Sequence, residues 1–368
     1  MDSLTSKLYS LLNGDKSAAL APTFLPPGAP GRPYVISTQD GETLYIPLSK
    51  SATRLLVTGA ETDNAFAIVS SGGSQSNPIG FHYHREAHDV FLCLQGAVNV
   101  WADTTCRTLS AGDFASVPPG TVHQYQILGA HTEFAGLIVP GGWEEFFRFI
   151  GEPYHGPMWP MHDERDVTKV LLPRLKAAAE KFDMVPLPQK EQFGPQEWSG
   201  EENKLPGKLE PYFLRAGTGP AYEVGGTVCR PLCTSRETRG RFSIASIESS
   251  RDFCAQGIFA QERRTVRFER VHHAFQVGQG SVMFQLGSSA PTQLSAGELV
   301  YVPKGTAYRF ETTSRFSQMY AFTSGGGLGE VLCRIGAEHN TAILPEKAGD
   351  FDVSALEALG PDFEFTVS

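Results

Sequence analysis

The chain has 368 residues, more than one hydrophobic core usually serves, so two domains are expected. Hydrophobic residues make up 41% and charged residues 19%, which is typical of a folded globular protein and not of a disordered one. The formal net charge is −9 and no Lys/Arg cluster occurs. This excludes nucleic acid as the expected partner, because phosphate binding needs a basic surface.

The amino terminus does not have the pattern of a secretory signal. Asp2 stands where positive charge is required, and polar residues interrupt the apolar run. Leu4, Leu8, Leu11 and Leu12 instead predict one face of a short helix. No apolar stretch is long enough to span a bilayer, and the six cysteines are dispersed as in reduced proteins. We therefore expect a cytoplasmic protein that does not interact with membranes.

One sequence unit is used twice. Residues 109–121, LSAGDFASVPPGT, match residues 294–306, LSAGELVYVPKGT. Residues 58–68 share five identical positions with residues 234–244. A match of this length and order indicates an internal duplication. We predict an N-terminal domain at residues 1–160, a connector at 161–207 and a C-terminal domain at 208–368.

Each unit has the pattern of short strands followed by a helix. Residues 90–102 are rich in β-branched and aromatic residues and are broken by the turn glycine Gly96, and Gly112 and Pro118–Gly120 mark further turns. Helices are predicted at Trp143–Ile150, ended by Gly151, and around residues 171–182 of the connector. The expected fold is all-β, two β-sandwich or jelly-roll barrels with short accessory helices.

Three histidines and a carboxylate of the first unit predict a metal site. His82 and His84 are two residues apart, so on a strand both side chains point to the same face. Asp89 opens the next predicted strand, and His123 follows a Pro-Pro-Gly-Thr turn. Three imidazoles with one carboxylate suit a divalent transition metal with an open coordination position. Copper, iron, manganese, nickel and cobalt all fit this set of ligands.

The spacing of these residues resembles that of the cupin superfamily, in which two motifs carry the metal ligands. The second motif, Gly-x5-Pro-x-Gly-x2-His, is matched by Gly112, Pro118, Gly120 and His123. Within the superfamily the chain is similar to the quercetin 2,3-dioxygenase group of bicupins, over roughly residues 30–160 and 208–340. The resemblance implies one divalent transition metal per chain, with a small aromatic substrate and O2 as partners. Cupins commonly dimerise, so a homodimer is compatible with the resemblance.

The chain departs from the family pattern at the carboxylate. The pattern has glutamate, a metal ligand and the proposed base, where this chain has Asp89; Ser76 also replaces a turn glycine. Aspartate is one methylene shorter, which leaves three readings open. Asp89 binds the metal after a small shift of its strand, Asp89 acts only as a base beside the metal, or Glu86 reaches the site instead. Asp89 and Glu86 are therefore the candidate catalytic residues.

The resemblance implies cleavage of a flavonol-type or related enolic aromatic ring by O2, with release of carbon monoxide. Asp89 or Glu86 would remove the proton of the substrate hydroxyl. Two alternatives remain, because a fold does not fix function. One is a metal-dependent isomerase, cyclase or decarboxylase of an aromatic metabolite, and the other is a non-enzymatic metal-binding sensor.

The second unit lacks a complete set of ligands. Alignment from Gly280 places Val266, Phe268 and His273 at the first three ligand positions, and Tyr308 stands where His123 stood. One imidazole cannot hold a metal alone with useful strength. We therefore expect a C-terminal half that packs against the first and contains no metal.

Overall fold

The computed structural model describes residues 18–260 and 264–368, and it confirms a mostly-β protein with short helices. The strands of the first half are β1 (Pro22–Thr23), β2 (Tyr34–Ser37), β3 (Glu42–Tyr45), β4 (Ser51–Val57), β5 (Ala67–Gly73), β6 (His82–Tyr83), β7 (His88–Ala102), β8 (Thr105–Ser110), β9 (Phe114–Val117), β10 (His123–Val139), β11 (Glu152–Pro153) and β12 (Val185–Pro186). Those of the second half are β13 (Tyr212–Leu214), β14 (Tyr222–Val224), β15 (Thr227–Cys233), β16 (Ser243–Ser249), β17 (Val266–Phe268), β18 (His273–Gln279), β19 (Ser281–Leu286), β20 (Thr292–Ser295), β21 (Glu298–Val302), β22 (Tyr308–Thr312), β23 (Ser317–Thr323), β24 (Ala337–Glu338) and β25 (Phe365–Val367).

The helices are α1 (Gly59–Thr62), α2 (Glu144–Ile150), α3 (Val167–Val170), α4 (Leu172–Lys181), α5 (Ser235–Thr238), α6 (Leu328–Ile335), α7 (Val353–Ala358) and α8 (Gly360–Phe363). The helix predicted at Trp143–Ile150 is α2, which Gly151 ends as its C-cap. The helix predicted around residues 171–182 is α4. The helix predicted at residues 4–12 lies outside the described residues.

The duplication is visible in the local structure. The short helices α1 and α5 begin with the same capping box, in which a threonine caps the helix and a glutamate three residues later bonds back to it. Thr58 and Glu61 form the first box, and Thr234 and Glu237 form the second. Each helix then ends at a residue in the left-handed conformation, Asp63 or Arg239.

The strands of the described residues form three sheets. The sheet of the first half has eleven strands, with the main order β11-β3-β4-β5-β10-β7-β9-β13, and β6, β8 and β12 attached beside it. The second half contains a nine-stranded sheet, β1-β2-β21-β18-β23-β16-β15-β14-β24, and a five-stranded sheet, β20-β19-β22-β17-β25. Nearly all the pairings are antiparallel, as expected for barrels built from hairpins.

The two halves exchange strands. β2 precedes the first barrel in the chain but pairs with β21 of the second half, with Tyr34 opposite Tyr301. β13 precedes the second barrel but pairs with β9 of the first half, with Tyr212 opposite Ser116. Each half therefore completes the sheet of the other. We propose the division into residues 1–160, 161–207 and 208–368, with β2 and β13 each paired in the sheet of the other half.

A buried apolar core joins the halves. It includes side chains from both, among them Tyr34, Ile36, Phe66, Leu92, Phe114, Tyr212, Phe242, Tyr301 and Phe322. All six cysteines are free thiols. No helix in the described part of the chain is long and apolar enough to cross a membrane.

Two tyrosines at equivalent positions connect the exchanged strands to the opposite barrels. The Tyr34 hydroxyl, on a strand of the second sheet, donates to Leu56 O of the first half at 2.8 Å. The Tyr212 hydroxyl, on a strand of the first sheet, donates to Leu232 O of the second half at 2.7 Å. Both hydrogen bonds are buried, so each carbonyl depends on its tyrosine.

We predict that Tyr34→Phe and Tyr212→Phe each lower the free energy of unfolding by about 1–3 kcal/mol, because each leaves a buried carbonyl without a donor. Urea unfolding measures this change. Tyr154→Phe is the matched control, since the Tyr154 hydroxyl makes a solvent-exposed bond to Pro157 O. If the control loses as much stability as the two buried tyrosines, the exchanged strands do not depend on these bonds.

Candidate metal centre

Two paired strands of the first barrel, β6 and β10, bring the predicted histidines together. His82 begins β6, His84 follows it directly, and His123 begins β10. His82 and His123 are paired across the two strands. The ring centroids of His82 and His123 are 4.3 Å apart, and each lies 5.1 Å from the ring of His84. One potential ligand atom from each histidine lies within 4.8 Å of the other two.

Each of these imidazoles is oriented by a backbone carbonyl. Nδ1 of His82 faces Gly80 O at 2.9 Å, and Nδ1 of His123 faces Thr121 O at 3.0 Å. Nδ1 of His84 faces the carbonyl of Asp183. Because a carbonyl only accepts hydrogen bonds, Nδ1 carries the proton in all three rings. In the neutral imidazole Nε2 is then left with its lone pair, the form in which a histidine binds a metal.

Asp89 completes the cluster from β7. Its Oδ2 lies 3.3 Å from Nε2 of His84 and 3.2 Å from Nε2 of His123. The side chain is buried, and Oδ1 has no hydrogen-bond partner in the structure. The group of mutually close ligand atoms contains the three histidines but not Asp89. Oδ2 of Asp89 thus faces the imidazoles of His84 and His123, and Oδ1 has no hydrogen-bond partner.

Glu86 does not reach the cluster. Its side chain is exposed, on a bend between His84 and β7. Its backbone N–H donates to the carboxylate of Asp183 at 2.7 Å, and its carbonyl accepts from Arg241. This placement favours the two readings that assign the carboxylate role to Asp89.

Electrostatics in the cluster follow from burial and proximity. Burial, together with the neighbouring rings of His123 and His84, lowers the pKa of His82 to about 3. Burial also opposes protonation of His84, but the charge of Asp89 raises the pKa of His84 above its ordinary value. Burial would raise the pKa of Asp89, yet His84 and His123 hold it well below its usual range.

Two residues of the centre were not predicted from the sequence. Asp183 bonds to His84 through its carbonyl, and its carboxylate accepts from the N–H groups of Arg85, Glu86 and Ala87. Trp143 meets the ring of His84 edge-on, with the centroids 4.6 Å apart. Asp183 lies about a hundred positions downstream in the predicted connector, and no spacing pattern marks it.

A divalent transition metal fits these residues. Three Nε2 atoms and one carboxylate oxygen face a common point, and every Nδ1 already has its acceptor. A buried carboxylate oxygen without a donor, here Asp89 Oδ1, is costly unless a cation or a proton compensates it. The donor set of imidazole and carboxylate is the one that divalent transition metals prefer.

In the second half apolar side chains occupy the equivalent positions. Val266 is paired with Tyr308 across β17 and β22, as His82 is paired with His123 in the first half. Phe268 packs against His273, with the ring centroids 4.6 Å apart. Nε2 of His273 accepts the N–H of Leu328 at 3.2 Å, so its lone pair is used. Within residues 18–260 and 264–368, only the first half contains a cluster of potential metal ligands.

The duplicated barrels and the exchanged strands give the chain the fold of a bicupin, and its described residues contain one cluster of potential metal ligands. A cupin domain model matches residues 68–135, which contain the three histidines and Asp89. In sequence the chain is similar to quercetin 2,3-dioxygenases. It is 26% identical over 343 residues to the enzyme of Aspergillus japonicus, covering 85% of this chain and 95% of that protein. It is 39% identical over 145 residues to the enzyme of Bacillus subtilis (strain 168), covering 39% of this chain and 42% of that protein.

Solved structures support the fold. The protein Ylba from E. coli aligns with a TM-score of 0.51 at 8% identity, covering 86% of this chain and 98% of that one. An oxalate decarboxylase structure aligns with a TM-score of 0.50 at 13% identity, covering 84% of this chain and 79% of that one. At these identities the alignments show a shared architecture only. The sequence relatives, in contrast, are named as enzymes.

Replacing His84 by alanine is expected to lower the affinity for a divalent transition metal by at least about 100-fold. Loss of an outer partner of a metal site typically costs 10–100-fold, and loss of a ligand should cost more. Metal analysis of the purified, dialysed protein measures this. His131→Ala is the control, because His131 bonds to Glu133 and lies outside the cluster. Unchanged metal content in His84→Ala would show that the centre is assigned wrongly.

Proposed function

We propose that this protein is a metal-dependent dioxygenase that cleaves a flavonol-type or related enolic aromatic substrate with O2. The observation that carries the proposal is the arrangement of His82, His84 and His123 around one point, with the buried Asp89 carboxylate beside it. The similarity to two proteins named quercetin 2,3-dioxygenase supports the reaction and the substrate class.

The three histidines would hold the metal through Nε2. A bound divalent transition metal would serve as a template for substrate and O2 and would conduct electrons between them. The carbonyls of Gly80, Asp183 and Thr121 keep each ring in the orientation and tautomer that this role needs. The protein contributes a fixed geometry before the substrate arrives, which lowers the cost of reaching the reactive arrangement.

Asp89 would act as the base that takes the proton of the substrate hydroxyl. Its Oδ2 is already engaged beside His84 and His123, whereas Oδ1 has no partner and can accept a hydrogen bond from the substrate. Deprotonation raises the electron density of the enolic ring, which prepares it for reaction with O2. A positioned base of this kind typically contributes 10²–10⁴-fold to a rate.

Aromatic side chains on the ligand-bearing face would accommodate a flat substrate. Phe91 lies two residues after Asp89 on β7, and Tyr125 lies two residues after His123 on β10, so both share the face of the site residues. Their rings are 5.7 Å apart. Burial and the charge of Asp89 raise the pKa of Tyr125 to about 12. Phe114, in contrast, packs in the core between the halves.

Oxygen uptake with quercetin as the probe tests the proposed reaction. Metal-loaded protein should consume O2 in proportion to the quercetin that disappears, and should release carbon monoxide in the same proportion. His84→Ala treated in the same way is the control and should consume almost none. Turnover of quercetin without O2 would favour an isomerase, cyclase or decarboxylase. Binding without turnover would favour a sensor, and either result would refute the dioxygenase.

Asp89→Asn should retain most of the metal but lose about 10²-fold or more in the rate of oxygen uptake, since it keeps the shape and removes the base. Glu86→Gln is the matched control, because it makes the same chemical change on an exposed side chain that does not reach the cluster. It should remain close to the unchanged protein in both measurements. Loss of metal from Asp89→Asn would show instead that Asp89 is an indispensable ligand.

A further inference from the structure

The backbone between the site residues His84 and Asp89 is held from two sides. Residues 85–87 belong to no strand, so sheet hydrogen bonds do not fix them. On one side the Asp183 carboxylate accepts from the N–H groups of Arg85 and Glu86, at 2.9 and 2.7 Å. These bonds come from the same half of the molecule. They hold the N–H groups of the segment but not its carbonyl groups.

Arg241 of the second half holds the carbonyl side. Its Nη1 donates to Glu86 O at 3.1 Å, and its Nη2 donates to Val139 O at 2.7 Å. Val139 ends β10 and is paired with His88, the first residue of β7. One guanidinium therefore joins the bend that leads into β7 to the end of the strand that carries His123. Its planar fork of donors suits two carbonyls at fixed positions.

A second contact from the same segment reinforces the first. Phe242, the next residue, packs its ring edge-on against His88, with the centroids 4.8 Å apart. His88 is fully buried and its Nε2 bonds to the hydroxyl of Ser116 at 2.8 Å. The residue immediately before Asp89 is thus fixed between the two halves.

The first half does not have an arginine at the position equivalent to Arg241. In the alignment of the two units, in which Phe66 corresponds to Phe242, the position of Arg241 is occupied by Ala65. Two residues before Ala65, the carboxylate of Asp63 accepts from Lys304 of the second half at 2.7 Å on the surface. The arginine extends only from the half without the histidine cluster to the half that has it.

We propose that Arg241 is a positioning residue through which the second half sets the location of the Asp89 carboxylate relative to the three histidines. The inference rests on the metal centre proposed above. An aspartate reaches one methylene less far than the glutamate of the family pattern, so a small displacement of its backbone removes it from the site. A residue that supports the ligands from outside is expected to influence metal retention and geometry without touching the metal.

The test compares Arg241→Met with Lys304→Met in protein loaded with Co²⁺ alone. Each variant removes one cationic contact between the halves, but only the first touches the segment beside Asp89. The measurements are the rate of Co²⁺ release to excess EDTA, the visible absorption spectrum of the bound Co²⁺, and the thermal midpoint of the metal-free proteins. None of these requires substrate or turnover.

Arg241→Met should release Co²⁺ about 10-fold faster than the unchanged protein and should alter the Co²⁺ spectrum, as expected when an outer support is lost. Lys304→Met should do neither, and the metal-free midpoints of the two variants should be similar. Arg241→Lys should be intermediate, because an ammonium can reach one of the two carbonyls. If Arg241→Met does not fold, Arg241→Lys decides the result by the same two measurements.

The proposal would be overturned if the Arg241 variants released Co²⁺ at the same rate as the unchanged protein and had the same Co²⁺ spectrum. Equally fast release from Lys304→Met would also overturn it, since any weakening of the contact between halves would then suffice. Unchanged protein that holds no Co²⁺ would refute the metal centre itself, and the role of Arg241 with it. Protein that holds Co²⁺ but consumes no O2 with quercetin refutes only the dioxygenase and leaves the result for Arg241 valid.

Discussion

The centre depends on three hydrogen bonds from imidazole Nδ1 atoms to backbone carbonyls. In the neutral rings of His82, His84 and His123 they place the proton on Nδ1, and they leave the Nε2 lone pairs available to a metal. Two of the acceptors, Gly80 O and Thr121 O, lie two residues before their histidines, so local chain geometry supplies them. The third, from Asp183, requires the chain to return to the barrel after α4.

That return is a consequence of the barrel architecture. The short strand β6, which begins with His82, is paired with β12 on one side and β10 on the other. In the second half, β25 is paired with β17 in the same way. Each barrel is therefore completed by a late strand that follows two short helices. In the first half this closing segment includes Asp183, and in the second half Phe365 packs on Phe268. The same arrangement of strands thus surrounds a histidine cluster in the first half and an apolar core in the second half.

Much of this could be predicted from the sequence, because short-range patterns and the repeat carry it. The strands, α2 with its terminal Gly151, and the grouping of His82, His84 and His123 follow from residue spacing. The internal alignment assigned Val266 and Tyr308 to the positions of His82 and His123, and in the structure the two residues of each set are paired. Strand exchange between the halves could not be predicted, because pairing partners distant in sequence are chosen by packing of whole faces. Asp183 and Arg241 could not be predicted for the same reason. Both contact the backbone of the segment after His84, from about 100 positions away for Asp183 and about 150 for Arg241.

The proposed metal centre requires that a single metal ion bind to the three histidines of the first half and that none bind to the second half. Anomalous diffraction from crystals of the metal-loaded protein, collected at the absorption edge of the bound metal, tests it most directly. We predict one peak per chain, about 2.1 Å from Nε2 of His82, His84 and His123, a normal metal–imidazole distance. A peak bound elsewhere, or a second peak beside His273, would contradict the claim.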